Sequence, residues 1–188
     1  MPRIELPAPE SLDADQRRVH DKIVSGRRGR IVGPLRAALH SPELADRWQA
    51  LGEFLRYNTS LSPRQSELAI LVTGRACESP FEWYAHRAEA AKAGVEPEVI
   101  AALLERRMPD GIAAADAAVI RYAQELNATN SVSEATYAEA LALFGAKTLV
   151  ELTALVGYYT MVAMTLNAHE IRLPAGETPA FPWPHAAG

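Results

Sequence analysis

Apolar residues recur along this chain at intervals of three and four, the spacing that places them on one face of an α-helix. Trp48, Leu51, Phe54 and Leu55 show this spacing, and another apolar run covers residues 68–72. No stretch alternates apolar and polar residues in the way typical of a half-buried strand. Alanine, which favours helices, occurs 34 times. The pattern therefore predicts an all-α helical bundle.

Start signals divide this pattern into separate helices. A capping residue precedes proline at Ser41-Pro42, Ser62-Pro63 and Ser79-Pro80. Asp13 and Ser62 each have a glutamine three residues later, as in a capping box. With glycine and proline as stop signals, we expect helices over residues 13–25, 33–40, 41–55, 62–77, 80–94, from 97, 113–126, 133–145 and 148–168.

The chain length of 188 residues fits one domain with terminal additions. We predict an N-terminal helical extension (residues 1–30), a helical domain (31–173) and an extended C-terminal arm (174–188). Prolines exclude a helix in this arm, and aromatic residues lie between them. These residues are Pro174, Pro179, Phe181, Pro182, Trp183 and Pro184. The arm is either a loose tail or a segment that docks on its own domain or on a neighbouring subunit.

The charge balance narrows the choice of partners. The chain has 19 basic and 23 acidic residues and a formal net charge of -4, which argues against nucleic acid and anionic membranes. The longest uncharged run, residues 152–168, is too short and too polar for a membrane span, so we interpret it as a buried core helix. No apolar targeting segment opens the chain, and we expect a cytoplasmic location.

Cys77 is the only cysteine, which excludes an internal disulfide, a CxxC pair and a multi-cysteine metal site. Its position near a helix C-terminus favours an inert thiol, although a redox role for Cys77 stays open. Glu82 and His86 could supply two metal ligands, but the sequence offers no third. His169-Glu170 is not an HExxH motif. We therefore expect neither a metal nor another cofactor.

The candidate chemistry lies between residues 67 and 86. Glu67 interrupts an apolar helical run, so it faces solvent or is buried with a partner. Glu82 and His86 are four residues apart and share a helix face, where a carboxylate and an imidazole can act as an acid–base pair. Trp83 and Tyr84 could form flat apolar walls that bind substrate. The alternative is an ordinary surface pair.

Other polar residues have simpler interpretations. Ser79 precedes Pro80 as a helix cap rather than a nucleophile. Arg75 and Arg87 could hold a substrate carboxylate, but solvated helix surface is the preferred interpretation. His20, His40 and His185 are expected at the surface or in the arm.

Residues 61–71, Cys77 and Phe81–His86 resemble the carboxymuconolactone decarboxylase family, which also contains the alkylhydroperoxidases of the AhpD type. Residues 150–160 and 166–170 are similar to the family's last core helix, so the resemblance covers roughly residues 30–174. It implies an all-α fold around a helical hairpin. It also implies a homo-oligomer, which could be a dimer, a trimer or a hexamer.

The redox branch of that family has a glutamate followed, twelve residues later, by Cys-x-x-Cys-x-x-x-His. Aligned on Glu67, this pattern places Ser79 and Glu82 at the two cysteine positions and His86 at the histidine. Cys77 lies two residues before the first position, and a dithiol peroxidase needs two thiols. The resemblance thus favours the decarboxylase branch. It implies His86 as proton donor and acceptor, Glu67 as its orienting group and Glu82 as a second acid–base group.

Three functions stay open at this point. The first is cofactor-free proton transfer on a small molecule, such as decarboxylation or isomerisation of an unsaturated lactone or enolisable acid. The second is an antioxidant peroxidase that works through Cys77 alone. The third is a non-catalytic oligomeric helical protein in which His86 is a hydrogen-bonded core residue. Fold alone cannot choose among them.

Overall fold

The computed structural model describes residues 2–184, and this part of the chain contains eight α-helices and no strand. The all-α prediction is confirmed. The helices are α1 (Ala14–Ser25), α2 (Gly33–Ala38), α3 (Pro42–Tyr57), α4 (Pro63–Ala76), α5 (Pro80–Lys92), α6 (Pro97–Leu104), α7 (Ala114–Thr129) and α8 (Glu134–Ala168). A short 3-10 helix, Pro9–Ser11, precedes α1.

Both predicted capping boxes are present. The side chains of Asp13 and Ser62 accept from the backbone N–H three residues later, and the glutamine there accepts from the cap backbone. Ser41 and Ser79 also precede helices, but their side chains make no capping hydrogen bond. Ser79 therefore occupies the predicted cap position of α5, but its side chain does not form the capping bond. The proline that follows it begins α5 without that bond, because its fixed φ is already helical.

The helix break near Gly145 agrees with the sequence prediction. We expected one helix to end near Gly145 and another to begin at Thr148, and the helical conformation of α8 is interrupted at Gly145, with φ of 73° and ψ of 167°. The second helical segment resumes directly after Gly145, slightly earlier than the predicted Thr148. Glycine adopts such a positive φ readily, so α8 consists of two helical segments joined at this residue.

Helix α4 lies at the centre of the bundle and packs against α5, α7 and α8. Its residues from Leu68 to Gly74 are all buried. A helix that is apolar on every side is stable only when neighbours surround it. The N-terminal extension is part of the same core, because α1 packs on α3 and buries Val19 and Ile23.

Helix α3 is only partly covered. Trp48 and Leu55 face the core, whereas Leu51 and Phe54 are 49% and 43% exposed. All four share the helical spacing, so their apolar stripe is wider than the surface that the bundle covers.

The C-terminal arm docks on its own domain as far as residue 184. Phe181 is buried, and its ring packs edge-on against the ring of Trp83 with 6.2 Å between centroids. The guanidinium group of Arg75 lies 4.4 Å from the centroid of the Phe181 ring. Arg172 lies similarly over Trp183. Arg75 also donates to the carbonyl of Leu104, so its interpretation as solvated surface is wrong. The end of the arm, including His185, lies outside the described residues.

One described helix, α8, is long and apolar enough by length and composition to cross a membrane, and core helices pass the same test. Leu152, Leu155 and Leu166 in its second half are fully buried against the bundle. Their burial supports the interpretation of residues 152–168 as a core helix.

Candidate functional site

The hairpin of α4 and α5 brings the three predicted acid–base residues together. Glu67 lies in the first half of α4, while Glu82 and His86 lie on one face of α5. Gly74 permits the close approach of the two helices. A Cβ at this position would lie 3.1 Å from the Cβ of Glu82, tighter than most side-chain contacts.

His86 lies between the two carboxylates. Its Nδ1 is 2.8 Å from Oε2 of Glu67, and its Nε2 is 3.7 Å from Oε2 of Glu82. An ionised carboxylate can only accept, so Nδ1 of His86 donates its proton to Glu67, and Nε2 faces Glu82. All three side chains are almost fully shielded from solvent. This arrangement can orient the imidazole and hold a proton at a defined atom.

The carboxyl group of Glu82 is buried, and few polar contacts offset the cost of removing it from water. Its Oε2 is inaccessible to solvent and has no hydrogen-bond partner among residues 2–184. Burial raises the pKa of Glu82, while the neighbouring charges of His86 and Arg56 act in the opposite direction. Glu82 therefore keeps its proton at higher pH than an ordinary glutamate, as a proton donor requires.

A cavity of about 660 Å³ adjoins these groups. Glu82 and His86 line it from α5, and Tyr159 lines it from α8. The Tyr159 ring meets the imidazole of His86 edge-on, with 5.0 Å between centroids. Burial raises the pKa of Tyr159 well above its ordinary value, so its hydroxyl stays a hydrogen-bond donor. The volume is ample for a small organic substrate.

The cavity wall also carries cationic side chains. Arg28 comes from the loop after α1 and Arg56 from α3. Within residues 2–184, neither guanidinium forms an ion pair with a carboxylate, and Arg28 instead donates to the Tyr158 hydroxyl at 3.4 Å. Gly52 provides the room for this contact, because a Cβ there would collide with Tyr158 and Arg28. Unpaired arginines at a cavity favour an anionic ligand.

The two predicted aromatic walls have different positions. Tyr84 lines the cavity. Trp83 is 2% exposed and packs against Phe181 in the core, so it does not line this cavity. Adjacent residues on a helix point about 100° apart, so they seldom face the same site. Arg87 lines the cavity near Tyr84, with its guanidinium 5.6 Å from the centre of that ring.

Cys77 is partly buried at the C-terminal end of α4. Burial raises the pKa of its thiol, and a hydrogen bond with Thr160 acts in the opposite direction. Its Sγ lies 4.0 Å from Oδ1 of Asn127, and Cys77 does not line the cavity of His86. A thiol with a raised pKa is a weak nucleophile near neutral pH.

Sequence reasoning missed Gly52, Arg28, Arg56 and Tyr159 as site residues. They come from the loop after α1, from α3 and from α8, so only the folded chain brings Arg28, Arg56 and Tyr159 to one cavity and Gly52 against Arg28. No local motif marks them. Within the described part of the chain, no group of three or more histidine, cysteine, aspartate or glutamate side chains has the arrangement of a metal site.

Residues 42–125 match the model of the carboxymuconolactone decarboxylase family. This region contains Glu67, Glu82 and His86, and the match confirms the resemblance seen in the sequence. No curated protein sequence is significantly similar to the chain.

Solved structures with an AhpD-like helical fold are similar to this one. An uncharacterised peroxidase-related protein from Ralstonia eutropha JMP134, with an alkylhydroperoxidase AhpD core, has a TM-score of 0.76 and 17% identity over 93% of both chains. A peroxidase-related protein from Silicibacter sp. TM1040 has a TM-score of 0.75 and 15% identity over 93% of this chain and 92% of its own. A protein of unknown function from Agrobacterium tumefaciens, suggested to be the antioxidant defence protein AhpD, has a TM-score of 0.68 and 16% identity over 77% of this chain and 99% of its own.

Proposed function

We propose that this protein is an enzyme that transfers a proton to or from a small organic acid without a cofactor. Decarboxylation or isomerisation of an unsaturated lactone acid is the reaction that fits best. The observation that carries the proposal is the position of His86 between Glu67 and Glu82 at the wall of a cavity. The match of residues 42–125 to the carboxymuconolactone decarboxylase family supports the same class of chemistry.

The substrate class follows from the charge of the cavity wall. Arg28 and Arg56 lack carboxylate partners within residues 2–184, so a substrate anion would satisfy them. The guanidinium groups would hold a carboxylate or stabilise an oxygen on which negative charge develops. The Tyr159 hydroxyl, which stays protonated, could donate to the same oxygen.

In decarboxylation, the bond between the substrate carbon and its carboxylate breaks, and the carboxylate leaves as CO2. The electron pair passes into the conjugated lactone carbonyl and forms an enolate. The protonated Glu82 then gives its proton to the enolate carbon. Its carboxylate regains a proton from solvent by way of Nε2 of His86, which Glu67 holds in place. The net reaction consumes one proton and releases one CO2.

Peroxidase activity is the second candidate, because two of the similar structures belong to peroxidase-related proteins. A dithiol mechanism has no cysteine at Ser79 or Glu82 in this chain. Only Cys77 could react with peroxide, and an external thiol would have to reduce it. Thiol-dependent peroxide turnover that Cys77→Ala abolishes would favour this function over proton transfer.

The test is turnover of an unsaturated γ-lactone carboxylic acid, followed by loss of its chromophore and release of CO2. We expect His86→Gln and Glu82→Gln to lower kcat by about 10²- to 10⁴-fold, the usual contribution of general acid–base catalysis. Glu89→Gln is the matched control, because Glu89 also lies on α5 and lines the cavity. Undiminished kcat in folded His86→Gln would refute the assigned mechanism. Absence of turnover by the wild type would exclude this substrate.

A further inference from the structure

A second cavity, of about 400 Å³, is separate from the acid–base site. Residues of α4, α6, the loop after α6 and α7 line it, and none of them lines the cavity of His86. Its lining includes the apolar side chains of Val72, Leu103 and Met108, and Arg75 and Arg106 supply its positive charge. Its volume lies within the range of small-molecule binding pockets.

The positive charges of the two arginines are poorly balanced by neighbouring carboxylates. Arg75 donates through Nε to the carbonyl of Leu104 at 2.8 Å, but no carboxylate in residues 2–184 forms an ion pair with it. Arg106 donates to the carbonyl of Arg75 at 3.2 Å and to Glu78 at 3.0 Å. The side chain of Glu78 is 54% exposed, so solvent screens the one carboxylate within residues 2–184 that pairs with either cation. Burial lowers the pKa of Arg75, and the nearby charge of Arg106 lowers it further.

The side chains on the wall indicate the chemistry of a ligand. An anion at the arginine end would satisfy guanidinium donors that the protein leaves without a carboxylate. The apolar side chains would take an apolar body, because burying it there removes hydrophobic surface from water. A neutral molecule of the same shape would gain only the burial of apolar surface and no ion pair with the arginines.

We propose that this cavity is a second binding site, selective for a small organic anion with an aromatic or aliphatic body. The site does not depend on the function proposed for His86, because the two cavities share no lining residue. It lies beside the C-terminal arm, since Phe181 packs on the guanidinium of Arg75. A bound anion therefore lies next to the contact that holds the arm on the domain.

The experiment titrates the full-length protein with 2-naphthoate, a fluorescent aromatic carboxylate, and with 2-naphthalenemethanol, its neutral analogue. We expect 2-naphthoate to bind at least tenfold more tightly than the alcohol. Its affinity should fall as salt concentration rises, because salt screens the attraction between carboxylate and guanidinium. Arg106→Gln should weaken 2-naphthoate binding at least tenfold. Ala128→Leu, which fills the cavity without a change of charge, should weaken the binding of both ligands.

Two controls locate the binding. Arg107→Gln changes the neighbouring arginine, which is similarly exposed, pairs with Glu105 and does not line the cavity. It should bind 2-naphthoate like the wild type. Arg56→Gln removes a cation from the other cavity and should also leave this binding unchanged. The proposal is overturned if Arg106→Gln and Ala128→Leu bind as tightly as the wild type, if Arg56→Gln alone abolishes binding, or if the wild type binds neither ligand.

Discussion

The Glu82 side chain combines burial with a carboxyl oxygen that has no hydrogen-bond partner in the described structure. Burial raises the pKa of Glu82 in the folded state above its value in the unfolded chain. Between these two values the folded protein binds more protons than the unfolded protein. The free energy of unfolding therefore falls as pH rises through this interval.

We expect Glu82→Gln to remove this dependence, because an amide does not ionise. The melting temperature of the wild type should fall relative to that of Glu82→Gln as pH rises through the raised pKa of Glu82. The melting temperatures of the two proteins should differ least at pH values below the pKa of an ordinary glutamate. Thermal melts between pH 4 and pH 9 measure the difference.

The matched control for that experiment is Glu89→Gln on the same helix. A hydrogen bond with Lys92 lowers the pKa of Glu89, so ionised Glu89 contributes stability above the ordinary pKa of a glutamate. Its replacement should therefore change the pH dependence in the opposite direction, and only weakly because Glu89 is partly exposed. Parallel melting curves for wild type and Glu82→Gln would contradict the assignment of Glu82.

At the residue scale, sequence and family resemblance predicted the grouping of Glu67, Glu82 and His86. Glu82 and His86 are four apart on one helix, and Glu67 is a carboxylate in an apolar helical run. The resemblance implied a place for Glu67 beside His86. The sequence could not separate Trp83 from Tyr84, because nothing local tells which of two adjacent aromatic residues faces the core. Arg56 and Tyr159 could not be predicted as site residues, since tertiary packing alone brings α3 and α8 to the cavity.

At the scale of elements, the arm shows how two aromatic residues tie down a segment without secondary structure. Phe181 packs between Arg75 and Trp83, whereas Trp183 is less buried and contacts Arg172. Phe181→Ala should lower the free energy of unfolding by about 3 kcal/mol, the lower end for a buried phenylalanine. Trp183→Ala should lower it by about 1 kcal/mol, the scale of an exposed cation–π contact.

Urea denaturation of both variants measures these differences. Far-ultraviolet circular dichroism is a suitable signal, because the arm contributes no helix to it. Equal stability of wild type and Phe181→Ala would show that the arm does not depend on the Phe181 contact in solution.

Helix boundaries were largely predictable because their signals are local. The capping boxes at Asp13 and Ser62 mark α1 and α4 through bonds made within four residues. The docking of the arm was not predictable, because it depends on the distant partners Arg75 and Trp83. The helix break at Gly145 was predictable, because glycine readily adopts the positive φ that interrupts a helix.

For the whole molecule, the proposed acid–base residues and much of the cavity wall come from different parts of the chain. The region that matches the family model, residues 42–125, supplies Glu67, Glu82 and His86. Arg28 comes from the loop after α1, and Glu177 comes from the C-terminal arm. The cavity wall can therefore change through the terminal segments while the α4–α5 hairpin stays the same.

Assembly is the remaining property of the whole molecule. Val150, Gly157, Met161 and Met164 lie along one exposed face of α8, at a helical spacing that keeps them in one stripe. Val150 is 70% exposed and Met164 is 64% exposed. A contiguous apolar stripe on a folded chain indicates a surface that a partner covers. We propose that a second copy of this chain covers it, in line with the homo-oligomer that the family resemblance implies.

We expect the wild type to sediment as an oligomer of the 20.5 kDa chain. Met164→Glu should shift the protein toward the monomer, because a carboxylate buried at an apolar interface without a partner costs several kcal/mol. Val24→Glu is the control, since Val24 is also exposed but lies on α1. A wild type that sediments as a monomer, or equal oligomerisation of wild type and Met164→Glu, would contradict the assignment of this face. Because the stripe and the two cavities lie on separate sets of residues, a folded monomeric Met164→Glu that keeps its turnover would also show that each subunit holds a complete site.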